Sequence, residues 1–90
     1  MAGSPAYKVY TKQGEYVAAC KQPEDAAAVA QMHGVGSTIR YMHGVVLYTW
    51  TPEDARNPQP GTTGVVVRHA LHEYQAKKYA EVHGPKAVVG

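Results

Sequence analysis

The chain has no phenylalanine, a single cysteine and few charges, and each shortage excludes something. Lone Cys20 rules out an intrachain disulfide, so the fold must rest on a hydrophobic core. Its place in an apolar strand pattern reads as a small buried hydrophobe, which fits a reducing, cytoplasmic setting. No run approaches the roughly 18 apolar residues of a membrane span. The start "MAGSPAYK" lacks the basic and apolar regions of a secretory signal, so a membrane is not an expected partner. Charged residues are 18% of the chain, nine basic against seven acidic, and a net charge of +2 neither demands nor excludes nucleic acid.

What is present is tyrosine, seven of them, in a chain that is 44% hydrophobic. Ninety residues suffice for one domain. A chain of this size buries about 60–65% of its unfolded surface, so a partner would add usefully to its stability.

"AYKVYTKQGEYVAACK" reads as two alternating runs around a turn at Gln13 and Gly14. That register pairs Tyr10 with Val17, Lys8 with Ala19, Val9 with Ala18 and Tyr7 with Cys20. Lys8, Lys12 and Glu15 then face water, while Tyr7, Val9, Tyr16, Ala18 and Cys20 face the core. A helix over about 23–33 follows, with Pro23 in its first turn, acids Glu24 and Asp25 near its positive end, and Gly34 as a left-handed cap. Ala26, Val29, Ala30 and His33 form its expected inner face.

"STIRYMHGVVLYTW" is a second hairpin, turning at His43 and Gly44, with Ile39, Tyr41, Val46, Tyr48 and Trp50 expected inside. The tetrapeptide "PEDA" then returns at Pro52, as it did at Pro23, nine residues after Gly14 and eight after Gly44. This suggests two hairpin-then-helix units, 7–34 and 37–83. "RNPQPG" interrupts the second, predicting a loop over about 55–61. A long helix should start near Thr62 or Thr63 and end at His83, although three successive valines leave a fifth strand open at 65–69. Residues 1–6 are expected to fray, and the tail 85–90 to fray or add an edge strand.

At about 100° per residue, Val67, Leu71, Tyr74 and Val82 share one side of this helix and should pack on the sheet. The opposite side collects His69, His72, Ala76, Tyr79, Ala80 and His83, which is not the Lys and Glu surface of a helix that meets only water. A metal site is not indicated. His83 lies about 21 Å beyond His69, and "HALHE" has neither the order nor the spacing of a zinc-protease motif. A solvated face on which histidine and alanine happen to fall explains the stripe as plainly as a contact does. As a contact, the alanines would let a second copy or a protein partner approach closely, a two-fold dimer being the simplest closed form. Histidine protonation near pH 6 would then weaken it.

Two other surfaces compete. Lys8, Tyr10 and Lys12, with Arg40, set basic residues around an aromatic on an exposed strand face, a pattern that grips phosphates and stacks a base. The same residues also serve simply to keep a strand soluble. The hairpin and helix from Tyr7 to Ala30 are loosely similar to plant ethylene-response-type DNA-binding domains, which use three strands for the groove; this chain departs in lacking the third strand before the helix and in having few arginines. In "NPQPGTTGVVVR", Arg56, Thr62, Thr63 and Arg68 would suit a small anion at a helix start, although ordinary capping accounts for the threonines. Neither nucleotide-binding glycine motif is present. No catalytic constellation stands out: Cys20 lacks an activating base, and Glu24, Asp25, Glu53 and Asp54 read as helix-start acids.

The expectation is an α+β domain, ββαββα, whose two hairpins form one mostly antiparallel four-stranded sheet with a short and a long helix on one face. It is expected to be a non-enzymatic interaction module without cofactor, working through the long helix. Nucleic-acid binding through the sheet is the alternative, and anion binding the third.

Overall fold

The computed structural model describes residues 7–83, and of His43 and His83 the backbone alone. The expectations for 1–6 and 85–90 fall outside these residues. Strands β1 (Tyr7–Tyr10) and β2 (Tyr16–Cys20) lead to helix α1 (Pro23–His33). Strands β3 (Thr38–Arg40) and β4 (Val46–Thr49) lead to a short α2 (Pro52–Arg56) and a long α3 (Pro60–His83). The order across the sheet is β2-β1-β3-β4, and all neighbours are antiparallel. This is the expected α+β arrangement, and 65–69 belongs to the helix.

The core lies between one sheet face and the two longer helices. Tyr7, Val9, Ile39 and Trp50 meet Ala26, Ala27 and Ala30 of α1 and Val67 and Leu71 of α3, all buried. Alanine suits α1 because a helix without bulk on one face sits close to both the sheet and α3. The approach is closest at Gly64, where a Cβ would come within 2.9 Å of the backbone of Glu24. The inner face of α1 is shifted from expectation: Ala27 is buried and His33 exposed. Trp50 fills the centre, but its indole N–H and the buried Ser37 hydroxyl find no partner among the described residues. Each such group costs about 1–3 kcal/mol.

Both hairpin turns differ from the two-residue loops expected. Thr11 N–H donates to Glu15 C=O at 2.8 Å and Gly14 N–H to Thr11 C=O at 2.8 Å, which closes a three-residue loop with Gly14 at φ 91°. The second turn repeats this thirty residues on. There Tyr41 N–H donates to Val45 C=O at 2.8 Å and Gly44 N–H to Tyr41 C=O at 3.1 Å, with Gly44 at φ 80°. A type I turn followed by a left-handed glycine is the three-residue solution, whereas a two-residue primed turn wants positive φ in Gln13 or His43 as well.

The extra loop residue shifts the register, and a bulge in each hairpin shifts it back. Tyr10 faces Tyr16 but Val9 faces Ala18; Arg40 faces Val46 but Ile39 faces Tyr48. The expected pairings at Tyr7, Lys8 and Val9 therefore hold, while Tyr10 with Val17 does not. Tyr16 and Val46, expected inside, turn outward and are 59% and 51% exposed.

The start of the second helical region also differs. Residues 52–56 form the short helix α2 where a loop was expected from 55, because Thr51 and Asp54 make a reciprocal capping box. Helix α3 begins at Pro60, ahead of Thr62 and Thr63. Proline breaks a helix interior but suits a first turn, whose N–H groups have no intrahelical acceptor. Val82, expected on the sheet, is 76% exposed because α3 outruns the core after Tyr74.

Candidate functional site

Among the described residues all helices that reach the core do so from one side, and none covers the other sheet face. Directly opposed residues share a face, so the register defines its two rows. One runs Tyr16, Tyr10, Thr38, Thr49; the other runs Ala19, Lys8, Arg40, Val46. Tyr16, missing from the expected set, joins it through the bulge. The signal that would have found it is the glycine at the third loop position.

The centre of this face is ordered by contacts. The Arg40 guanidinium lies 4.2 Å from the centroid of the Tyr10 ring, and its Nε donates to Thr38 Oγ1 at 3.0 Å. The Tyr10 and Tyr16 rings meet edge to face, centroids 5.8 Å apart. Lys8 stands opposite Arg40 on the neighbouring strand. Two cations paired across strands repel, so this arrangement is not one that stability alone selects. Lys12 sits in the turn, its stem close to Gly36, at the end of the sheet rather than in a strand. Thus Lys8, Tyr10 and Arg40 are brought together, with Lys12 at their margin.

Charge is segregated. Six of the seven acids lie on helices: Glu24 and Asp25 on α1, Glu53 and Asp54 on α2, Glu73 and Glu81 on α3. The seventh, Glu15, is in the first turn. The four strands hold Lys8 and Arg40 and no carboxylate.

The helix stripe is laid out as its spacing implied. His69, His72, Ala76, Tyr79 and Ala80 are all exposed, and His83 continues the line in backbone position. His69 Nε2 lies 3.2 Å from Glu73 Oε2, both side chains open to water. Val65 and Val66, also exposed, extend the apolar surface toward the start of α3.

The residues considered for an anion do not converge on a shared ligand position. Arg56 pairs with Glu53 at 3.0 Å, and Arg68 lies 3.6 Å from Glu24. Thr62 donates to Gln59 Oε1 at 3.3 Å, while Thr63 is buried. Each arginine already has a carboxylate near it.

The remaining polar cluster is structural in its contacts. Asp54 Oδ2 accepts from Tyr48 Oη at 2.7 Å, Thr51 Oγ1 at 2.8 Å and Thr51 N–H at 2.9 Å. Partial burial works to raise the Asp54 pKa, but these hydrogen bonds outweigh it and hold the carboxyl below its ordinary value. Burial, then the bond to Asp54, pushes Tyr48 up to about 12. Burial, and secondarily Asp25, also raises the Cys20 thiol, which disfavours the reactive thiolate. Among the described residues no three His, Cys, Asp or Glu side chains are placed to hold one metal ion, and no helix is long and apolar enough to cross a membrane. No family model, curated protein or solved structure matches this chain.

Proposed function

We propose that the protein is a small binding module whose open sheet face takes single-stranded nucleic acid. The observation that carries this reading is the Arg40–Tyr10–Tyr16 cluster, flanked by Lys8, on a sheet face that none of the described helices covers and whose strands hold no carboxylate. Phosphate needs cations that are not neutralised by neighbouring acids, and a base needs a π-face on which to stack. Lys8 on β1 and the 59% exposed ring of Tyr16 on β2 offer both on adjacent strands. A modest net charge is compatible with this use, because six of the seven acids sit on the helices and only Glu15, in the first turn, borders the sheet.

Three cations, Lys8, Lys12 and Arg40, suit a short stretch of backbone, so binding should be weak to moderate and steeply dependent on salt. For about three phosphate contacts, the slope of log K against log salt should be roughly −2. Fluorescence anisotropy of a labelled oligonucleotide checks this. Tyr10→Ala should weaken binding by about 1–3 kcal/mol through lost stacking, and Arg40→Ala should also flatten the salt slope. Binding that is absent at low salt, or indifferent to both substitutions, rejects the reading.

A further inference from the structure

Beyond Leu71 and Tyr74, α3 has left the core, yet it does not become a helix designed only for water. Between Ala76 and Val82 the charged residues Lys77, Lys78 and Glu81 fall in line with the core-facing Val67, Leu71 and Tyr74. The opposite side of the helix carries Ala76, Tyr79 and Ala80, all exposed. A surface helix normally presents its charges on the side away from its own core. Here the distribution is reversed, and the outward side is the apolar one.

That side is also periodic. Val65, His69, His72, Ala76, Tyr79 and His83 alternate steps of four and three, the spacing of the inner positions of a coiled coil. Five of these six side chains are exposed, and the sixth, His83, holds its register position in the helix. Flanking the stripe are Glu73 on one side and Arg68 on the other, both exposed; within the chain Glu73 lies 3.2 Å from His69 and Arg68 3.6 Å from Glu24, solvent-screened contacts that a partner's charge would compete with.

We infer that α3 pairs through this stripe with α3 of a second copy, the two helices parallel and in register. Charge sets the direction. In a parallel pair, a flanking residue faces the one five positions further along the other helix, which brings Arg68 to Glu73 of the second copy on both sides of the two-fold axis. An antiparallel pair joins like flanks instead and gives Arg68 no acidic neighbour across the contact. In the parallel pair Ala76 meets Ala76, which allows close approach, while the imidazole layers at His69 and His72 lower stability but specify register. The dimer should therefore be reversible on dilution. This contact lies on the helical layer and is independent of the open sheet face.

Sedimentation equilibrium of the whole protein over a wide concentration range tests it. The wild type should show a monomer–dimer equilibrium. Ala76→Glu should weaken association at least tenfold with an unchanged circular dichroism spectrum, and Lys78→Ala, on the other side of the helix, should leave association unchanged. Glu73→Arg should weaken it, and adding Arg68→Glu should restore it. A wild type that stays monomeric throughout, or a dimer indifferent to Ala76→Glu, overturns the contact; a double charge reversal that fails to recover association overturns the parallel register. Oligonucleotide binding by Ala76→Glu, retained as expected, keeps this result separate from the sheet reading.

Discussion

The first hairpin, β1–β2, and the second, β3–β4, share a geometry but carry different loads. Thirty residues apart they use the same three-residue loop, the same left-handed glycine and the same bulge position. Their inner ends diverge. Where the first has Cys20, half-buried, the second has Trp50, 1% exposed, and where the first has Ala18, the second has Tyr48 bonded to Asp54. The passage into the helix differs too. Gln22 precedes α1 without a side-chain cap, whereas Thr51 and Asp54 lock α2. One backbone plan thus serves two purposes: the second hairpin anchors the core, and the first supplies both tyrosines and the lysine of the open face.

Substitutions in the two hairpin units sharpen or break this comparison. The largest effect should come from Trp50→Ala, which leaves a cavity in the centre of the core and costs about 3–5 kcal/mol. Cys20→Ala, at the matching place, should cost about 1 kcal/mol or less. Urea unfolding measures both, and similar costs would contradict the division between hairpins.

Next is Asp54→Asn, which weakens hydrogen bonds that have no counterpart in the first unit. It should cost about 1–2 kcal/mol at neutral pH. The folded-state pKa of Asp54 is lowered from 3.8, so its carboxylate contributes stability above that value and loses it as pH falls through the lower folded one. Thermal melts below pH 4 should accordingly show the gap between wild type and variant closing. A gap constant from neutral pH into strong acid would mean the charge is not what Tyr48 and Thr51 recognise.

The smallest difference should be that between Gly14→Ala and Gly44→Ala. Each forces a side chain into a left-handed conformation, at about 1–2 kcal/mol, and neither Cβ meets another atom within 4 Å. Paired denaturation curves should give the two variants nearly the same cost. Unequal costs would show that the two turns, alike in hydrogen bonding, are not alike in strain.

Much of the architecture was legible because the periodicities were clean: Pro23 and Gly34 bound α1, and Tyr7 and Val9 alternate with Lys8. The departures in the two hairpins share one origin. Placing each turn at two residues hid both the third loop residue and the compensating bulge, so Tyr16 and Val46 were assigned inward although pairings further from the turn were right. Lys8, Tyr10 and Arg40 could be grouped from alternation alone. Their junction depends on β1 lying beside β3, a long-range pairing that no local pattern encodes. Pro60 was misread because the same residue stops a helix interior and opens a first turn. On α3, the three-four spacing begins at Val65, inside a valine run that equally fits a strand.

The most direct test of the sheet reading is a titration of nitrogen-15-labelled protein with a short single-stranded oligonucleotide, followed through its backbone amide resonances. The account predicts shifts concentrated at Lys8, Tyr10, Tyr16, Thr38 and Arg40, reversed by added salt, with α3 from Gln75 onward unmoved. Shifts confined to α3, or none at low salt, would contradict it.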